Sequence, residues 1–133
     1  MNKTCFLKFW SVAVGSMDAL TGLLLIFVPS LVLRLLRIDA PSPEAMVYLS
    51  WIGVFVMAVG LSYAFALGER RGAGEVVWLF TALVRMLVAM FLVVKITQGS
   101  LAAAWAVVAM SDGVVASVQM VILRKGWWRE GVR

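Results

Sequence analysis

Thr81-Ala82-Leu83-Val84-Arg85-Met86-Leu87-Val88-Ala89 sets a guanidinium in the middle of an otherwise uncharged apolar segment, and how that segment is read decides the fold. Val76 to Val94 is 19 residues, enough to cross a bilayer core at about 1.5 Å per residue, and Arg85 is the tenth of them. A charge at that depth costs roughly 2.5–3.5 kcal/mol on insertion scales, so it normally faces protein and has a partner. Two carboxylates in other apolar runs, Asp18 and Asp112, are the candidates.

Composition agrees with a membrane setting. The chain is 63% hydrophobic and 14% charged, outside the range of soluble globular domains. Its net charge of +5 comes from Lys and Arg at segment ends, where head groups and topology account for them, so no nucleic-acid partner is expected. With no His and a single cysteine, Cys5, the usual ligands for haem, zinc, copper and iron–sulfur centres are missing, and no metal site is expected. Hydrolytic chemistry needs a nucleophile with an activating base. Ser16 and Ser111 have none in the pattern and read as small packing residues, so no catalytic residues are assigned and the chain is not expected to be an enzyme.

In chain order, Lys3 and Lys8 precede an apolar run from Phe9 to Val28. That run is too long for a secretory signal and carries Asp18 at its centre, so it is read as a retained first span. Pro29-Ser30 breaks it, and Leu31–Ile38, with Arg34 and Arg37, suits a short helix lying in the interface. Ser42 as N-cap, Pro43 at the first helical position and Glu44 in the first turn start the second span, about 45–67. This span is uncharged, and Ser50, Gly53, Gly60 and Ala64 give it a small-residue stripe suited to close helix packing. The third span covers 76–94 and the fourth 101–123, with Asp112 at its middle. The expectation is therefore all-α: a single domain over 1–133, a polytopic four-helix transmembrane bundle with a short interfacial helix after the first span.

Counting Lys and Arg outside the spans sets the orientation. Lys3, Lys8, Arg70, Arg71, Arg124, Lys125, Arg129 and Arg133 fall on one side against Arg34, Arg37 and Lys95 on the other, so both termini are expected to be cytoplasmic. Trp10, Tyr63, Trp78, Trp127 and Trp128 then fall near the inner interface, and Tyr48, Trp51 and Trp105 towards the outer one.

The three charges form the candidate site. Ser11, Gly15, Asp18 and Gly22 share one helical stripe; Trp105, Val108, Asp112, Val115 and Gln119 share another; Thr81, Arg85 and Val88 line up on the third span. Where these faces meet, Arg85 is suited to take one carboxylate bidentately and donate to the other, with Thr81, Gln119 and Trp105 as supporting residues. Two carboxylates and one guanidinium leave a formal charge of minus one at low dielectric. Either one Asp holds a proton, or a cation, a further donor or water completes the cluster. The cluster then has two readings: it fixes helix register, or it serves a proton, cation or head-group step.

A Pro after the first span (Pro29), a small-residue second span, Arg85 in the third span and a polar centre in the last make the chain resemble the small four-span DoxX-like bacterial membrane proteins. The resemblance covers nearly the whole chain at the level of hydropathy and isolated positions. It implies a multi-pass protein of the bacterial inner membrane and allows a place in a quinone-linked complex, as some of those proteins are subunits of thiosulfate oxidation. The paired cysteines of the redox-active relatives have no counterpart here. Small multidrug transporters also have four spans and a carboxylate in the first, a part open to Asp18, but Arg85 at the same depth opposes the exchange of a proton for a cation. The expected role is an accessory or scaffold subunit, with membrane lipids and other membrane subunits or further copies of itself as partners. The alternative is a small transporter or a protein that binds a quinone or another lipid.

Overall fold

The computed structural model describes residues 2–68 and 72–130, and it is all-α among them. Four helices are long and apolar enough to cross a membrane: α1 (Lys3–Phe27), α3 (Pro43–Leu67), α4 (Ala73–Thr97) and α5 (Ala106–Arg124), the last led in by a 3-10 turn at Ala103–Trp105. Among the described residues there are also two short helices, α2 (Pro29–Leu35) and α6 (Trp127–Glu130). The chain divides into two compact units, Met1–Glu69 and Arg70–Arg133.

Helix ends depart from span ends for a physical reason. Apolar length limits what sits in hydrocarbon, whereas the backbone hydrogen-bond ladder continues through polar residues until a cap or turn stops it. So α1 starts at Lys3 on an Asn2 cap, whose side chain accepts from the Thr4 amide, rather than at Phe9. At α3 the cap read from sequence is present: the Ala45 amide donates to Ser42 Oγ at 3.3 Å, with Pro43 first and Glu44 in the first turn. The short helix after the first span starts at Pro29 and not at Leu31. Val28 leaves helical geometry (φ −138°, ψ 55°), and proline, which lacks the amide a first turn cannot use, opens α2. Leu101 and Ala102 lie outside α5, because the amides of Ser100 and Leu101 both turn back to the Lys95 carbonyl at 2.9 and 3.2 Å.

Within the first unit α1 and α3 run antiparallel, with glycines facing the opposite backbone at both levels of the contact. A Cβ at Gly22 would stand 2.5 Å from the Met57 amide nitrogen, one at Gly53 2.7 Å from Leu25 Cβ, and one at Gly15 2.8 Å from Tyr63 Cβ. At Gly60 a Cβ would strike the Ala19 backbone. At these four positions the two backbones approach so closely that no side chain larger than hydrogen fits. Leu33, 2% exposed, anchors α2 to this unit, while Leu31, Arg34 and Leu35 face outward.

In the second unit α4 and α5 are likewise antiparallel, held by larger side chains. Trp78, Thr81, Ala82, Arg85 and Ala89 on α4 and Ala109, Ala116 and Gln119 on α5 are buried. After α5, Gly126 turns the chain with φ 67°, a region that side chains with a Cβ rarely adopt, and α6 folds back onto the start of α4.

Candidate functional site: a polar ladder in the second hairpin

Position along two antiparallel helices decides which polar groups meet. Thr81 and Arg85 are one turn apart on α4, and Gln119 and Asp112 are two turns apart on α5. Each α4 residue meets one α5 residue. Arg85 Nη1 donates to Asp112 Oδ1 at 2.5 Å, with the two side chains 4% and 18% exposed. Gln119 Nε2 donates to Thr81 Oγ1 at 3.3 Å in a fully buried contact, and the Thr81 hydroxyl donates to the Val77 carbonyl of its own helix at 2.8 Å.

In a low-dielectric environment such a ladder is strongly directional. A guanidinium or carboxylate that loses its partner there costs several kcal/mol, so any sliding or rotation of α5 against α4 is opposed. The hydrogen bonds specify register; the neighbouring Ala82, Ala89, Ala109 and Ala116 let the helices approach far enough to form them.

Of the other residues singled out from sequence, Asp18 lies on α1 in the first unit. It is buried, at 7% exposure, on the stripe that carries Gly15 and Gly22. Trp105 sits half-buried in the 3-10 turn ahead of α5; its amide donates to the Ala102 carbonyl at 3.1 Å, and its indole makes no hydrogen bond or ring contact among the described residues.

A second set of contacts was not foreseen from sequence. Tyr63 and Trp78, whose sequence positions fall near the inner interface, are 1% and 0% exposed, enclosed by protein. Trp78 takes the Trp128 ring edge-on, with centroids 5.5 Å apart and planes at 79°. Trp128 in turn covers Gly74, where a Cβ would collide with its ring. Arg129 closes the same contact by donating from Nε and Nη2 to Glu75 Oε1 at 3.1 and 2.8 Å. Hydrogen bonding to this carboxylate, and then its charge, raises the Arg129 pKa further above its ordinary value. The available signal was Gly74, one turn ahead of Trp78 and so able to leave a notch beside it.

Among the described residues no three His, Cys, Asp or Glu side chains converge as a metal site would require. Two shallow apolar grooves run along the second hairpin. One, of about 450 Å³, is lined by Met86, Met110, Gly113, Val114, Ser117 and Val118; the other, of about 180 Å³, lies beside Val93, Ile96, Ala106 and Ala109. Comparison of the chain with family models, with curated proteins and with solved structures returns no match in any of the three.

Proposed function

We propose that this integral membrane protein is a non-enzymatic accessory or scaffold subunit of a complex in the bacterial inner membrane, with both termini cytoplasmic. The observation that carries the reading is the uncovered face of α3. Only 11% of its membrane-length window is buried, against 33% for α1, and beyond Glu44 in its first turn it carries no charge. Tyr48, Trp51, Phe55 and Phe65 are each more than half exposed on one stripe. Trp51 and Phe55 lie about 200° of helix rotation from Gly53, on the side away from α1. Large aromatics are the side chains that anchor protein interfaces, and Phe55, tilted against Trp51 with centroids 6.0 Å apart, carries the set inward from the belt positions of Tyr48, Trp51 and Phe65.

The polar ladder supports the same reading. Arg85, Asp112, Thr81 and Gln119 engage one another within one hairpin, which suits fixing structure more than passing a solute. The resemblance to DoxX-like proteins makes a quinone-linked complex the first setting to test. The second reading, a protein that binds a quinone or another lipid, is favoured by the groove over Gly113, which is apolar, open and about 450 Å³ in volume.

The test is purification of the tagged protein from its native membrane in gentle detergent, with mass spectrometry of what accompanies it. A stoichiometric membrane protein, lost on Trp51→Ala/Phe55→Ala, is the expected result. Recovery of the chain without a protein partner but with a retained lipid or quinone would replace this reading by the second.

A further inference from the structure

The basic tail of the second unit is not a loose flank. Arg124 ends α5, Lys125 caps it, and the left-handed turn at Gly126 sends Trp127–Glu130 back to the first turn of α4. There Trp128 fills the notch at Gly74 against Trp78, and Arg129 forks onto Glu75. These contacts hold three exposed cations, Arg124, Lys125 and Arg129, on a fixed platform. Glu75 occupies Nε and Nη2 of Arg129, whose side chain is still 78% exposed, so its outer edge remains open to a further acceptor. Lys125 Nζ stands 6.0 Å from the centre of the half-buried Trp127 ring, pairing a cation with the kind of ring that settles at head-group depth.

Charge identifies the occupant. In the sequence, residues 68–75 and 124–133 hold Arg70, Arg71, Arg124, Lys125, Arg129 and Arg133 against Glu69, Glu75 and Glu130. An excess of guanidinium and ammonium donors beside an interfacial aromatic, at the mouth of an apolar hairpin, is complementary to a phosphate that carries acyl chains. We infer that the α5–α6 corner is a binding site for the phosphate of an anionic phospholipid, preorganised by the docking of Trp128 on Gly74. Arg124 and Lys125 donate to the phosphate, and Trp127 lies alongside the glycerol ester region. Preorganisation separates this site from ordinary tail electrostatics, because cations whose positions are already fixed lose little freedom on binding.

Native mass spectrometry of the purified protein titrated with phosphatidylglycerol or phosphatidylcholine, at low and high salt, tests the inference. Phosphatidylglycerol should bind in preference. Arg124→Gln/Lys125→Gln should weaken it about 25-fold, at roughly fivefold per basic residue, and leave phosphatidylcholine unchanged. Trp128→Ala keeps every charge, and should still weaken phosphatidylglycerol binding at least about fivefold as the platform loosens. Equal binding of the two lipids by the wild type, or undiminished phosphatidylglycerol binding by the double variant, overturns the site. Wild-type affinity in a folded Trp128→Ala protein overturns the preorganised platform. The double variant removes only exposed side chains, and it carries the test if Trp128→Ala does not fold.

Discussion

The two hairpins solve the same packing problem by opposite means. In α1–α3 the contact is made by what is missing: Gly15, Gly22, Gly53 and Gly60 bring backbone to backbone, and the attraction is dispersion spread over a long seam. In α4–α5 the contact is made by a few directed groups, Arg85–Asp112 and Gln119–Thr81, with the Trp128 clasp at one end. A dispersion seam tolerates no added volume and has no strong preference among polar substitutions outside it. A polar ladder tolerates volume better and fails when one partner is removed. The two hairpins should therefore respond to different mutations.

The largest effect should come from adding volume to the glycine seam. Gly22→Leu forces side-chain atoms into the Met57 backbone, which has no flexible end to move aside. The cost should exceed the ~1–3 kcal/mol of ordinary overpacking, so that little folded protein survives detergent extraction. Gly113→Leu is the contrasting control. The nearest atom to a Cβ there is Ala89 Cβ at 4.0 Å, so this variant should be recovered like wild type by size-exclusion chromatography.

Next in size is the ladder. Arg85→Leu leaves the Asp112 carboxylate in a dry site without its guanidinium, at about 3–5 kcal/mol, visible as a lower unfolding midpoint in a denaturing-detergent titration. Trp128→Ala should cost less, about 2 kcal/mol, because the ring is half-buried and the gap can admit solvent or head groups. Gln119→Leu removes the neutral hydrogen bond to Thr81, a type of bond worth about 0.6–1.7 kcal/mol in membranes, and should lower the midpoint by less than Arg85→Leu does. Arg129→Gln is the smallest. Its partner contact is at the surface and its side chain is 78% exposed, so the same titration should show no resolvable shift.

Local signals in the sequence carried well. Ser42, Pro43 and Glu44 mark a helix start through interactions confined to one turn, and Arg85 and Asp112 reveal themselves because each interrupts an apolar run at mid-depth. The stripes through Gly15 and Gly22 and through Gly53 and Gly60 were readable as packing faces, since helical periodicity alone places them. Aromatic residues were harder. Trp78 and Tyr63 sit near span ends, where an interfacial ring and a core ring look alike, and only tertiary contact separates them. The clasp joins residues 74 and 128 across the whole hairpin, a distance that periodicity does not bridge. Helix ends were misplaced wherever polar residues continue the backbone ladder beyond the apolar run, as Lys3 and Thr4 do in α1.

Arg85 and Asp112 act as one unit that pins α4 to α5. A double-mutant cycle with Arg85→Met, Asp112→Leu and both together, read from unfolding midpoints, addresses this coupling most directly. Each single variant should be destabilised by several kcal/mol, and the double variant should recover at least half of the summed loss, because removing both charges removes the burial penalty with them. Losses that simply add would show that the two side chains stabilise the fold independently, and would contradict the ladder.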